Sequence, residues 1–133
     1  RLHEHFEGID ETIAMSSMYA ANHLGAKVVA TLTQTGKTAL WMSRISSNIA
    51  IFAMSDNYKT LKKVTIYRGV YPCYIDKTSA DDWNDVNSHV IENLEDKSQV
   101  EKGDIVIVTK GMHKDKSGGT NLMKILRVGD GNY

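Results

Sequence analysis

The sequence contains very little cysteine and proline, and it has no long hydrophobic run. Its 133 residues include one cysteine, Cys73, and one proline, Pro72. A single thiol excludes an internal disulfide framework and a zinc site with several thiolates, and it favours a reducing compartment, for which we expect the cytoplasm. No apolar run approaches the ~20 residues that cross a bilayer, and we expect no signal peptide. The sequence therefore predicts no membrane partner.

An excess of charge of either sign is also missing. Sixteen Lys and Arg residues balance 16 Asp and Glu residues, so the formal net charge is zero. Because neutralising phosphates requires a basic surplus, this balance argues against nucleic acid as a partner. With 41% hydrophobic residues the composition is that of a globular protein with one core. The first residues have no clean periodicity, so we expect residues 1–8 to be a tail or linker from a preceding domain and residues 9–133 to form one domain.

Helical and strand-like patterns alternate along the chain. We expect a helix with Asp10 as its N-cap, which ends at Gly25. Short apolar, β-branched runs predict five strands, over residues 27–33, 49–54, 70–75, 104–109 and 121–128. Helical spacing returns in the segment after residue 37 and after expected N-caps at Ser55 and Ser79. This alternation predicts an α/β fold.

The connections predict the order of the strands. Each of the first four strands follows a helix, so we expect them to be parallel, with helices on both faces of the sheet. The segment before the fifth strand has no helical pattern, so that strand turns back antiparallel. Pro72 has no N–H to donate and predicts an edge position for the third strand. These constraints give a three-layer open sheet of order 3-2-1-4-5. Its winding reverses between strands one and four, where such sheets bind ligands.

The most informative segment follows the first strand and leads into a helix; we refer to it as the TQTGKT turn. It consists of Thr33, Gln34, Thr35, Gly36, Lys37 and Thr38. Outward-facing N–H groups, a helix dipole, hydroxyls and one lysine suit it to bind phosphate. Gly36 allows close approach of the backbone, and we expect Gly36→Val to weaken binding while leaving the fold largely intact. The turn is not a nucleotide P-loop, which needs glycine in place of Thr31. From these residues alone, a well-capped turn without a ligand is an equally good interpretation.

A second loop, residues 110–119, is expected at the same edge of the sheet. It carries three lysines, one histidine and the stretch Ser117, Gly118 and Gly119, which suits the presentation of backbone amides. Considered alone, it is more simply a solvated hairpin loop. Opposite the TQTGKT turn, it is better interpreted as a flap over a bound anion.

No residue combination typical of catalysis or of a metal site stands out. His3 and His5 lie close to the start of the chain, where the backbone frays. Asp81 and Asp82 are explained as favourable charges at a helix N-terminus. Cys73 falls inside a predicted strand, where a buried, inert thiol is expected. We therefore predict no catalytic residue, no metal and no cofactor in this domain.

Six segments of the chain, in order, resemble the C-terminal domain of pyruvate kinase. The likeness extends from about residue 8 to residue 129, and its most specific elements are Arg-Gly-Val-x-Pro at residues 68–72 and Lys-Gly-Asp at residues 102–104. The first helix is most similar to that of bacterial enzymes activated by AMP or sugar monophosphates. The matching segments are Glu11–Asn22, Thr33–Thr38, Ser43–Ser46, Tyr67–Pro72, Lys102–Thr109 and Gly118–Asn121.

The resemblance implies a function that the composition does not. Pyruvate kinases transfer phosphate from phosphoenolpyruvate to ADP, with Mg²⁺ and K⁺ bound on a TIM barrel and a lid domain that would precede this chain. The C-terminal domain binds the allosteric effector and forms part of a homotetramer interface. The TQTGKT turn matches the segment that grips the effector phosphate, and Ser117, Gly118 and Gly119 match its flap. Residues 79–86 offer Trp83 but not the arginine of animal enzymes activated by fructose 1,6-bisphosphate, which favours a monophosphate.

The resemblance also sets expectations for the isolated domain. We expect it to be inactive as a kinase and to form a weak dimer across a two-fold axis, through strand five or the adjacent helices. Two other functions stay open at this point. One is a structural assembly domain with a vestigial anion site, which a ligand titration distinguishes. The other is a free-standing small nucleotide-binding protein, against which Thr31 already argues.

Overall fold

Four helices and five strands make up the described part of the chain. The computed structural model describes residues 2–76, 83–111 and 119–133, without the side chains of residues 2–7 and 83–85. The elements are α1 (Leu2–Leu24), β1 (Val28–Leu32), α2 (Lys37–Ser43), β2 (Ala50–Ser55), α3 (Tyr58–Val64), β3 (Val70–Tyr74), α4 (Trp83–Asp96), β4 (Ile105–Lys110) and β5 (Leu122–Arg127). No helix in these ranges is long and apolar enough to cross a membrane.

The five strands form one sheet of order β3-β2-β1-β4-β5. β1 pairs in parallel with β2 and β4, and β2 pairs in parallel with β3, whereas β4 and β5 are antiparallel. Pro72 lies in β3 at the edge of the sheet, where its missing N–H costs no ladder hydrogen bond. The predicted α/β class, strand order and strand directions are confirmed.

Alternate residues of the central strands face two separate apolar layers. Val28, Ala30 and Leu32 of β1 pack in one cluster with apolar residues of α4, whereas Val29 packs in the other with apolar residues of α1 and α2. All of β1 is buried, as expected of a parallel strand covered on both faces. The helices therefore cover both faces of the sheet, as predicted.

The start of α1 differs from the prediction. The helix begins at Leu2, and Asp10 lies inside it with only 2% of its surface exposed, so the expected N-cap at Asp10 is wrong. Gly8 lowers helix propensity by about 1 kcal/mol relative to alanine. The helix nevertheless continues through it, and Thr12 donates its hydroxyl to the Gly8 carbonyl at 2.6 Å. Whether residues 1–8 form a linker stays a prediction.

The expected N-cap of the third helix is also displaced. Asn57 caps α3, because its side-chain oxygen accepts hydrogen bonds from the backbone N–H groups of Lys59 (3.0 Å) and Thr60 (3.4 Å). Ser55 ends β2 instead, and its hydroxyl accepts from the N–H of Asn57 at 3.1 Å. Ser79, the expected cap of the next helix, lies outside the described residues.

Candidate functional site

The TQTGKT turn follows β1 at the carboxyl edge of the sheet. Its first residue still belongs to the sheet hydrogen bonding, since the Thr33 N–H donates to the Met54 carbonyl at 3.0 Å. The Thr33 hydroxyl accepts from the Gly36 N–H at 2.8 Å, and the Thr35 hydroxyl accepts from the Lys37 N–H at 3.3 Å. Two threonines thus fix the path of the chain into α2. Because their oxygens accept these bonds, their own O–H protons remain available for donation.

The first turn of α2 supplies backbone donors at the same place. Leu40 is the first residue whose N–H reaches a carbonyl of this turn, that of Gly36 at 3.0 Å. The N–H groups of Thr38 and Ala39 therefore have no acceptor within α2 and point towards its N-terminus. N–H groups of this kind are the donors that an anion takes at a helix N-terminus.

Gly36 is required by the fold. It is the N-cap of α2, with φ of +84°, in the left-handed region that other L-residues avoid. A Cβ at this position would lie 2.9 Å from Val64 Cγ1 of α3. The expectation that Gly36→Val would leave the fold largely intact is therefore wrong.

Helix α3 holds the back of the turn. The Thr60 hydroxyl donates to the Gln34 carbonyl, and the Lys63 ammonium donates to the Thr35 carbonyl at 3.1 Å. Two carbonyl oxygens, which would repel an anion, are thereby engaged by donors from α3. Sequence reasoning missed Thr60 and Lys63, because they lie 26 and 28 residues from their partners and no local pattern indicates the contact.

Lys37 is the cation of the turn itself. Its ammonium lies 5.2 Å from the ring centroid of Trp41, one helical turn further along α2. A cation over an aromatic face is stabilised by about 0.5–1 kcal/mol at exposed sites. A movement of Lys37 towards a ligand would therefore give up part of this contact.

The base of the 110–119 loop meets the TQTGKT turn. The Thr38 and Thr120 hydroxyls, both buried, are 2.9 Å apart and form a hydrogen bond. The two ends of the loop also touch, since a Cβ on Gly111 would lie 2.3 Å from the Gly119 carbonyl oxygen. The structure thus brings Gly119 close to the turn. Ser117 and Gly118, the other predicted flap residues, lie outside the described residues.

Two buried polar residues lie beside this edge on the α4 side of the sheet. The Lys110 ammonium donates to the Asn87 side-chain oxygen at 2.9 Å, and the two residues are 3% and 1% exposed. Sequence reasoning counted Lys110 as one loop lysine among three and missed Asn87. A signal existed: Asn87 precedes Val90, Ile91 and Leu94 at the spacing of the apolar stripe of α4, where a polar residue is unusual.

The surroundings of Cys73 and His23 are those of structural residues rather than of ligand-binding ones. Cys73 is buried, and burial raises the pKa of its thiol although the charge of Lys97 lowers it. His23 stacks on Tyr19 at a centroid distance of 5.7 Å on the surface of α1. Across the described ranges, no three His, Cys, Asp or Glu side chains come together as a metal site would need.

Comparison with known proteins places the chain in a family. The family model described as "Pyruvate kinase, alpha/beta domain" matches residues 11–126. Pyruvate kinase of Buchnera aphidicola subsp. Schizaphis graminum is 48% identical over 129 residues, and pyruvate kinase II of Salmonella typhimurium is 46% identical over 129 residues. Each match covers 96% of this chain and 26% of the relative.

A third relative agrees with these matches. Pyruvate kinase of Haemophilus influenzae is 44% identical over 112 residues, which is 84% of this chain and 23% of the relative. The chain thus spans about a quarter of the length of these curated relatives. Because the family model covers most of its residues, the chain belongs to the pyruvate kinase family, as the C-terminal alpha/beta domain.

Proposed function

We propose that this domain binds a phosphorylated small molecule, AMP or a sugar monophosphate, with the phosphate at the TQTGKT turn, and that it regulates a pyruvate kinase through this site. The observation that supports the proposal is the hydrogen bond between Thr38 and Thr120. It joins the bases of the two loops where the winding of the sheet reverses between β1 and β4. In open α/β sheets a small ligand binds at this place.

The affinity of such a site follows from its donors. Each hydrogen bond to a charged group contributes roughly 1.5–3 kcal/mol. Helix α2 has seven residues, so its dipole adds only ~0.3–1 kcal/mol to the binding of an anion. Three or four such contacts, after the costs of association and of moving Lys37 off Trp41, are consistent with a dissociation constant between micromolar and millimolar.

Calorimetric titration of the chain with AMP, ribose 5-phosphate and glucose 6-phosphate tests the proposal. Lys37→Ala should weaken binding about tenfold through the lost charge. Lys27→Ala is the matched control, because this exposed lysine lies at the amino end of β1, whereas the TQTGKT turn lies at its carboxyl end. Equal affinities of Lys37→Ala and the unchanged chain, or phosphate density elsewhere in a co-crystal, would contradict the assignment.

We also propose that two copies of the domain pair across a two-fold axis through β5 or the adjacent helices. β5 is an edge strand with Ile125 47% exposed, and Met15 of the neighbouring α1 is 53% exposed. In sedimentation experiments, Ile125→Lys should weaken pairing. Ile66→Lys, at a side chain 82% exposed beyond α3, should not. A chain that stays monomeric at high concentration would refute this proposal.

For the whole enzyme we propose the reaction for which its relatives are named, phosphate transfer from phosphoenolpyruvate to ADP. We propose Mg²⁺ and K⁺ as its cofactors and the cytoplasm as its compartment. This domain would supply regulation and assembly rather than catalysis. The chain mixed with phosphoenolpyruvate, ADP and both metal ions should therefore form no pyruvate. Detectable pyruvate in a coupled assay would contradict this division of roles.

A further inference from the structure

Two side chains of α3 hold backbone carbonyls of the TQTGKT turn. The Thr60 hydroxyl donates to the Gln34 carbonyl oxygen. The Lys63 ammonium donates to the Thr35 carbonyl oxygen at 3.1 Å. Thr60 is 3% exposed, and its own N–H donates to the Asn57 side chain that caps α3. The hydroxyl therefore belongs to a residue whose place is fixed by the start of the helix.

The bond from Thr60 determines which way a peptide unit of the turn faces. In the part of the chain that the structure describes, every peptide bond is trans. A trans peptide is planar, so its C=O and N–H groups point in opposite directions. The Gln34 carbonyl points to Thr60. The N–H of the same peptide, which belongs to Thr35, therefore points away from Thr60.

This N–H is a donor that the domain itself does not use. Among the described residues the Thr35 N–H has no acceptor. The next peptide unit differs, because both of its polar groups are bonded within the domain. Its carbonyl, that of Thr35, accepts from Lys63, and its N–H, that of Gly36, donates to the Thr33 hydroxyl at 2.8 Å. The turn thus keeps one peptide closed on itself and leaves the N–H of the preceding one for a ligand.

We propose that Thr60 and Lys63 are positioning residues of the phosphate site. By holding two carbonyl oxygens against α3, they keep the Thr35 N–H directed towards the ligand. This inference rests on the proposed function, and it deepens that function by naming what orients the turn for an anion. A flip of the Gln34–Thr35 peptide would present a carbonyl oxygen in place of the N–H. A carbonyl can only accept hydrogen bonds, so it would repel a phosphate.

Calorimetric titration with AMP tests this inference at Thr60. Thr60→Val keeps the shape of the side chain but removes its donor, and it should weaken AMP binding about tenfold. Thr60→Ser keeps the hydroxyl and should bind AMP as the unchanged chain does. A merely structural role of Thr60 predicts that Thr60→Val lowers the melting temperature but leaves the AMP affinity of the folded chain unchanged.

A matched pair of lysines on α3 tests the second contact. Lys63→Met and Lys62→Met remove the same charge from neighbouring positions of one helix. The Lys62 ammonium has no hydrogen bond to any residue that the structure describes, whereas that of Lys63 bonds the Thr35 carbonyl. Lys63→Met should therefore weaken AMP binding several-fold more than Lys62→Met. Equal affinities of these two variants would show that Lys63 acts through its charge alone and would overturn its positioning role.

The amide signal of Thr35 in a proton–nitrogen correlation NMR spectrum supplies a second readout. AMP should shift this signal in the unchanged chain and in Thr60→Ser. At saturating AMP the shift should be much smaller in Thr60→Val, because the peptide is no longer held. An equal shift in Thr60→Val and the unchanged chain would overturn the inference.

The possible results separate this inference from the proposed function. Unchanged AMP affinity in Thr60→Val and Lys63→Met, together with a loss in Lys37→Ala, overturns the inference and leaves the proposed function standing. No AMP binding by the unchanged chain refutes both. If Thr60→Val does not fold, the comparison of Lys63→Met with Lys62→Met decides: weaker binding by the first supports the inference, and equal binding overturns it.

Discussion

Replacement of Gly36 by alanine should destabilise the domain more than the same replacement at another glycine of similar backbone conformation. Gly36 has φ of +84° and its new Cβ would lie 2.9 Å from Val64 Cγ1. Gly69 has φ of +72°, and no atom of the residues that the structure describes lies within 4 Å of a new Cβ. Gly69→Ala therefore measures the backbone cost alone, whereas Gly36→Ala adds the cost of the contact.

The magnitudes follow from these two geometries. A left-handed conformation costs an L-residue about 1–2 kcal/mol, partly offset by ~0.4–1 kcal/mol because alanine restricts the unfolded chain. Gly69→Ala should thus lower the free energy of unfolding by roughly 1 kcal/mol. Overpacking against Val64 adds about 1–3 kcal/mol, so Gly36→Ala should cost roughly 2–4 kcal/mol. For a chain of this length the corresponding fall in melting temperature is about 10 °C.

A double-mutant cycle isolates the contact. Val64→Ala alone removes buried methyl groups and should cost about 2 kcal/mol. In Gly36→Ala/Val64→Ala the contact is gone, so the loss should be smaller than the sum of the single losses by roughly 1–2 kcal/mol. Urea unfolding followed by circular dichroism measures all four proteins. Strict additivity, or equal losses for Gly36→Ala and Gly69→Ala, would refute the argument that Val64 limits this position.

Two further predictions concern stability. Among the described residues the buried Thr31 hydroxyl has no hydrogen-bond partner, whereas the Thr38 hydroxyl donates to that of Thr120. Thr31→Val should therefore leave the free energy of unfolding unchanged or raise it, and Thr38→Val should lower it by about 1 kcal/mol. Equal losses in urea unfolding would contradict this. Burial raises the pKa of the Cys73 thiol, so the folded chain keeps this proton where the unfolded chain loses it, and stability should fall as pH rises above about 8.5. The slope should be reduced in Cys73→Ala, and an identical pH profile would contradict the prediction.

The layout of the sheet could be predicted because it depends on local patterns and on rules of connection. Buried apolar runs separated by helical segments predict parallel strands, and Pro72 alone places β3 at the edge. The start of α1 was missed although the sequence carries a signal for it. Leu2, Phe6 and Ile9 stand at the i, i+4, i+7 spacing of a helix. Asp10 was the misleading residue, because it has the chemistry of an N-cap although it lies buried inside the helix.

In the candidate site, too, the residues with a local sequence signal could be predicted and most of those without one could not. The TQTGKT turn could be found from the sequence, because its residue types and its place between strand and helix are local features. The residues that hold it could not. Thr60 and Lys63 contact the turn from α3, and in the sequence α2 and β2 lie between α3 and the turn. Asn87 differs from both, because a polar residue on the apolar stripe of α4 is visible in the sequence and indicates a buried partner.

The Thr38–Thr120 hydrogen bond connects the proposed phosphate site at the TQTGKT turn with the proposed pairing surface at β5. Thr120 precedes β5 by two residues, and Ile125 lies exposed in that edge strand. A phosphate that orders the TQTGKT turn would also order Thr38, and through it the start of β5. If pairing through β5 then strengthens, thermodynamic linkage requires that pairing strengthen phosphate binding by the same factor. A single buried hydrogen bond contributes a free energy of only about 1 kcal/mol. The coupling factor is therefore limited to roughly fivefold unless further contacts change with it.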